Sequence, residues 1–216
     1  AHQPNLINDP NCPADLGPEA WFILGDVVME QPITGNTNKL FNYIEASNVY
    51  DQIIKQYPSN RLAILAWGKK GDCHLQLASQ YPESYRHATN AYLSVLRLKQ
   101  PDTPVSVLNQ AEVGLGKVYE SMAEGRPQPE REALLKESLN HYLNVVYSDA
   151  PDPAFLKIAG VNAGRVAETL GDRSAALELY RRLMKDLPAL RTTWELHINA
   201  LEKTLAAASP TPVPGL

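Results

Sequence analysis

The sequence predicts an all-α fold, an α-α superhelix of about four helix–turn–helix units closed by a further helix, and three observations carry that expectation. The segment Ala154–Leu190 places Ala176, Tyr180, Leu183 and Pro188 at 12, 16, 19 and 24 residues beyond Gly164, the spacing of a helical repeat of about 34 residues. A second pattern recurs four times, as Ala46-x3-Tyr50-x2-Ile53, Ala88-x3-Tyr92-x2-Val95, Ser138-x3-Tyr142-x2-Val145 and Ala176-x3-Tyr180-x2-Leu183. A small residue lets two helices approach, and a ring one turn later on the same face fills the space above it. Finally, the prolines punctuate helices. Pro18, Pro104, Pro129 and Pro153 stand where a helix would begin, and Pro58, Pro101, Pro151 and Pro188 where one would stop.

In chain order, residues 1–17 hold three prolines and two aspartates and read as an irregular segment laid along the first helix pair. The first unit, 18–58, opens with Trp21-x2-Leu24-Gly25-x2-Val28. The second, 59–101, opens around Trp67-x3-Gly71 or Ile64-x3-Gly68, of which the first keeps the Trp–Gly spacing of Trp21 and Gly25. The third, 103–151, carries Glu112-x2-Leu115-Gly116-x2-Tyr119, and the fourth, 153–189, turns at Gly171-Asp172. Asp152 and Thr103 are expected to cap the exposed amides of the helices that follow them. The small anchors 46, 88, 138 and 176 lie 42, 50 and 38 residues apart. The excess over the repeat falls in Glu30–Lys39, Ser79–Ser84 and Glu124–Glu132, as loop insertions. A closing helix, 190–207, aligns Trp194, Ile198, Leu201 and Leu205 on one face and polar residues on the other, as the open end of a stack requires. Residues 208–216 form a Pro-rich tail or linker, and with Ala1 at the start they point to a fragment or to a removed leader.

Composition removes some functions. The net charge of −4 argues against nucleic-acid binding through bulk basicity. No run of 18 apolar residues exists, so no membrane-spanning helix is expected. Cys12 and Cys73 belong to no C-x-x-C pair; they stand either as separate thiols or as a disulfide.

With these helix signatures in place, residues 18–207 resemble the tetratricopeptide-repeat (TPR) proteins, most closely in the last unit, so the implied fold is a TPR-like solenoid. The stretch Glu45–Leu77, with its A-x3-Y-x2-I-x3-Y-P element, further resembles the bacterial cell-envelope members of that family, of the outer-membrane assembly lipoprotein and Tol–Pal-associated cell-division coordinator types. That likeness implies a periplasmic or envelope adaptor, although no lipobox-like Leu-x-x-Cys surrounds Cys12. Chaperone-binding members grip a C-terminal carboxylate with Lys and Asn one turn apart. Phe22 and Asp26 occupy the matching positions here, and Asp26 would repel such a group.

Chemistry is sparse. The five histidines, His2, His74, His87, His141 and His197, pair with nothing at a metal-ligand spacing. Asp72 and Asp172 follow glycines and read as caps. The repeated tyrosines read as core rather than as an aromatic ladder. Cys73 with His74 or His87 is the single nucleophile candidate, and neighbours on a helix point about 100° apart. No metal, cofactor or catalytic residue is therefore expected. The function expected is a non-enzymatic protein–protein interaction scaffold that binds a peptide or partner domain in a concave groove, with a structural, self-associating module of a larger protein as the alternative. First helices of such repeats line the concave side. The residues expected to face it are Phe22, Asp26 and Met29, then Val113, Lys117 and Glu120, then Val161, Arg165 and Glu168.

Overall fold

Nine α-helices make up the described residues, 16–32 and 38–208, of a computed structural model of the chain, and no strand occurs among them. They are α1 (Leu16–Glu30), α2 (Lys39–Gln56), α3 (Arg61–Leu77), α4 (Ser84–Leu98), α5 (Val105–Ala123), α6 (Glu130–Val146), α7 (Pro153–Thr169), α8 (Arg173–Asp186) and α9 (Arg191–Ala208). A 3-10 turn, Pro188–Leu190, precedes α9. Short connections force successive helices antiparallel, so α1–α2, α3–α4, α5–α6 and α7–α8 are the four helix–turn–helix units and α9 is the closing helix.

The ends are set locally. Asn38, Asn60, Asp152 and Asp172 each accept a hydrogen bond from an amide in the first turn of α2, α3, α7 and α8 respectively. Pro153 follows Asp152 at the first position of α7. Thr103 behaves differently from its expected capping role: its hydroxyl accepts from the Gln100 amide at 2.8 Å and tightens the loop before α5. Gly171, at φ +86°, makes the turn between α7 and α8 in a conformation that side-chain-bearing residues resist. The Gln128–Pro129 peptide before α6 is cis.

The chain divides after Val118, within α5, into two compact bodies. In the first, α1 packs on α2, α2 on α3 and α3 on α4. Its core joins Ala46, Tyr50, Ile53, Ala63, Ala66 and Cys73, with Trp21, Phe22, Val28 and Met29 packed against them. In the second, α6 packs on α7, α7 on α8 and α8 on α9. Trp194, Ile198 and Leu201 of α9 are buried there, while its outer positions Glu195, Asn199, Glu202 and Lys203 are exposed. None of the described helices is long and apolar enough to cross a membrane. His2, Cys12 and the tail 209–216 lie outside the described residues, as does residue 1–15 of the irregular segment.

Candidate functional site

The four tyrosines of the second helices are buried to within 1 % of complete enclosure. Tyr50, Tyr92 and Tyr180 each sit on a glycine of a first helix. A Cβ added at Gly25 or Gly71 would lie 2.5 Å from the ring of Tyr50 or Tyr92, and one at Gly164 would collide with Tyr180. Tyr92 is held on two sides, since Gly114 of α5 also abuts its ring. The missing side chains are therefore what admit the rings.

A buried phenol still needs a partner for its hydroxyl. Every one of these tyrosines donates to a carboxylate on the first helix of its own unit: Tyr50 to Asp26 at 2.6 Å, Tyr92 to Asp72 at 2.7 Å, Tyr142 to Glu120 at 3.2 Å and Tyr180 to Glu168 at 3.1 Å. Burial and the neighbouring acid together push all four phenols well above the usual tyrosine range. The hydroxyls are fixed proton donors, not titrating groups.

The same acids reach across to the next first helix. Asp26 of α1 pairs with Lys69 of α3 at 2.9 Å. Asp72 of α3 accepts from the Gln110 amide of α5 at 2.5 Å, and Glu120 of α5 pairs with Arg165 of α7. Burial raises the Asp72 carboxyl above the ordinary carboxylate range, opposed by hydrogen bonds from Tyr92 and Gln110 and by the charges of Lys69 and Lys117. Each acid is thus a junction that joins a second helix, its own first helix and, in three cases, the first helix that follows.

The nine residues expected to line a groove separate into two groups. Asp26, Glu120, Arg165 and Glu168 all belong to these junctions, with Arg165 and Glu168 exposed. Lys117 is also exposed. Phe22 is half-buried with its ring centroid 5.7 Å from that of Tyr50, and Met29 is half-buried against the same core. Val161 is half-buried. Val113 is only 2 % exposed and belongs to the core. The reason is that α5 is enclosed on nearly every side: Val107, Ala111, Gly114, Leu115 and Val118 are buried too. Asp72, read as a helix cap, lies in the middle of α3 and is a tyrosine acceptor. Asp172 does cap, accepting from the Ala175 amide at 2.9 Å.

Elsewhere the chemistry is quiet. Cys73 is a buried free thiol whose Sγ lies 3.9 Å from the Met29 sulfur; burial pushes it up to about 12, away from thiolate character at neutral pH. His74 shares a 3.3 Å hydrogen bond with the Ser47 hydroxyl, and its ring centroid is 5.1 Å from that of His87. Burial and the nearby His87 and Lys70 charges lower it to about 4, so it is neutral at physiological pH. Among the described residues no three His, Cys, Asp or Glu side chains converge as metal ligands would. A crevice of about 210 Å³ at the start of α3 and the loop before α5 is lined by Arg61, Leu62, Leu65, Asp102 and Pro104, small for an organic ligand. A scan against protein-family models finds no match for this chain, and no curated protein sequence matches it.

Proposed function

We propose that this chain is a non-enzymatic interaction scaffold that takes a peptide or partner domain along the surface of its first helices. The observation that supports it is the run of polar junctions on those helices, Asp26 with Lys69, Asp72 with Gln110 and Glu120 with Arg165. Within each body such pairs keep neighbouring first helices in register, and they leave Lys117 exposed in the first body and Arg165 and Glu168 exposed in the second. The buried, unactivated Cys73 and the neutral His74 fit a role without covalent chemistry. Placement in a bacterial envelope, as an adaptor of the TPR kind, is part of the same proposal and rests on the Glu45–Leu77 element.

Site-specific photocrosslinking in the source cell tests it. A crosslinker at Lys117 or Arg165 is expected to trap a partner that one at Lys136 or Glu137, exposed on the second helix α6, does not trap. Adducts formed only from the α6 positions would place the contact elsewhere and sink the reading.

A further inference from the structure

The outer side of α1 is a second, separate surface. Leu16, Ile23 and Val27 are 44 %, 63 % and 48 % exposed. With the half-buried Ala20 they fall at successive intervals of four, three and four residues, which puts them in one stripe along the helix. The opposite side of α1 packs inward through Trp21, Gly25 and Val28. A helix apolar on both sides is the pattern of a helix covered on both sides. No described residue covers this stripe.

The repeat register says what kind of position this is. Val27 stands two residues after Gly25. The residues two after Gly71, Gly116 and Gly164 are Cys73, Val118 and Val166, and all three are completely buried. Val27 therefore occupies a position that the rest of the molecule encloses.

Charge decides among the occupants. Glu19 and Glu30 border the stripe on α1; both are exposed, and neither forms an ion pair with a described residue. Glu30 ends α1, where a negative charge works against the helix dipole, so local helix stability does not account for it. The nearby Lys39 is engaged by the Met29 and Gln31 carbonyls at 2.7 and 3.0 Å. A second copy would bring the same glutamates against these. Residues 1–15 of the chain carry two aspartates and no lysine or arginine. A helix with an apolar stripe flanked by basic residues meets both features.

We propose that the outer face of α1 docks a basic amphipathic helix of a partner protein. The surface is distinct from the first-helix row and does not depend on it. The probe is a synthetic helical peptide of about five turns, long enough to cover α1, with a leucine stripe flanked by lysines; its control has glutamates for lysines. Fluorescence anisotropy with the full chain is expected to give at least tenfold tighter binding for the lysine peptide, weakening with salt. The double variant Ile23→Ser, Val27→Ser should lose at least tenfold, with helicity by circular dichroism unchanged because both sites are exposed. Glu19→Lys with Glu30→Lys should transfer the preference to the glutamate peptide, and Lys117→Glu should change nothing. Equal affinity for both peptides, or binding indifferent to the Ile23 and Val27 changes, overturns the proposal. So does a dimer in sedimentation that Ile23→Ser dissolves, which makes a second copy the occupant. Peptide binding that emerges only after removal of residues 1–15 overturns it as well.

Discussion

In the first body the carboxylate that receives the tyrosine hydroxyl is an aspartate directly after a glycine, at Gly25-Asp26 and Gly71-Asp72. In the second body it is a glutamate four residues after one, at Gly116…Glu120 and Gly164…Glu168. The two positions differ by about 60° around a helix, so both look toward the same ring. The longer side chain bridges the added turn. The bonds differ accordingly: 2.6 and 2.7 Å from the aspartates, 3.1 and 3.2 Å from the glutamates. Proximity has a cost in burial. Asp72 is enclosed enough to lift its pKa, whereas Glu168 stays exposed. One requirement, a partner for a buried phenol, is met by an enclosed acid at Asp72 and by a solvent-exposed one at Glu168, with Asp26 and Glu120 partly exposed.

Substituting the glycine seat removes the comparison altogether and has the largest expected effect. Gly71→Ala and Gly164→Ala each force a methyl into a tyrosine ring, and each should cost about 2–3 kcal/mol by urea denaturation. If either is neutral, the rings have room that the packing denies them.

Removing the acid separates the enclosed site from the exposed one. Asp72→Ala leaves the Tyr92 hydroxyl and the Gln110 amide without their acceptor and should cost about 2 kcal/mol. Glu168→Ala exposes the Tyr180 hydroxyl to water, which can replace the acid, so the loss should stay below about 1 kcal/mol. Equal losses at the two sites would show that depth of burial does not distinguish them.

The smallest effect is one of pH. The folded Asp72 pKa lies above its unfolded value, so the folded state holds that proton more tightly. Its contribution is greatest below the ordinary carboxylate pKa of about 3.9 and is lost as pH rises through the folded value. Asp72→Asn retains a carbonyl for Tyr92 and does not ionise. Urea midpoints of the two proteins, compared from about pH 3 to about pH 7, should move in favour of the Asn variant as pH rises. A constant difference would mean that the hydrogen bonds and lysines beside Asp72 cancel its burial.

The helices were readable in the sequence because their signals are local: the Ala/Ser-x3-Tyr spacing, the Asp152-Pro153 start and the Gly171-Asp172 turn each lie within a few residues. Burial of Tyr50, Tyr92, Tyr142 and Tyr180 followed from the same pattern. The junctions were not readable. The acid and its tyrosine are 24, 20, 22 and 12 residues apart in the four units, because the intervening loops differ in length, so no fixed spacing betrays the pair. Lys69 and Gln110 were missed for a related reason, since each meets its acid across 43 or 38 residues through helix packing alone. The signal available was an acid one or four residues after the first-helix glycines Gly25, Gly71, Gly116 and Gly164. Val113 was misassigned because a periodic template assigns every first helix an open side, and α5 has almost none.

Tyr92, pressed between Gly71 and Gly114, also bears on where such a chain can be cut or duplicated. Its ring is shared by α3, α4 and α5, so a fragment that stops after α4 leaves one flank of the ring bare. The segment that carries its own complement of contacts begins in a first helix and ends in the next first helix, three helices long. Grafts and truncations made to that frame should retain cooperative folding better than those made to the helix pair that the sequence repeat suggests.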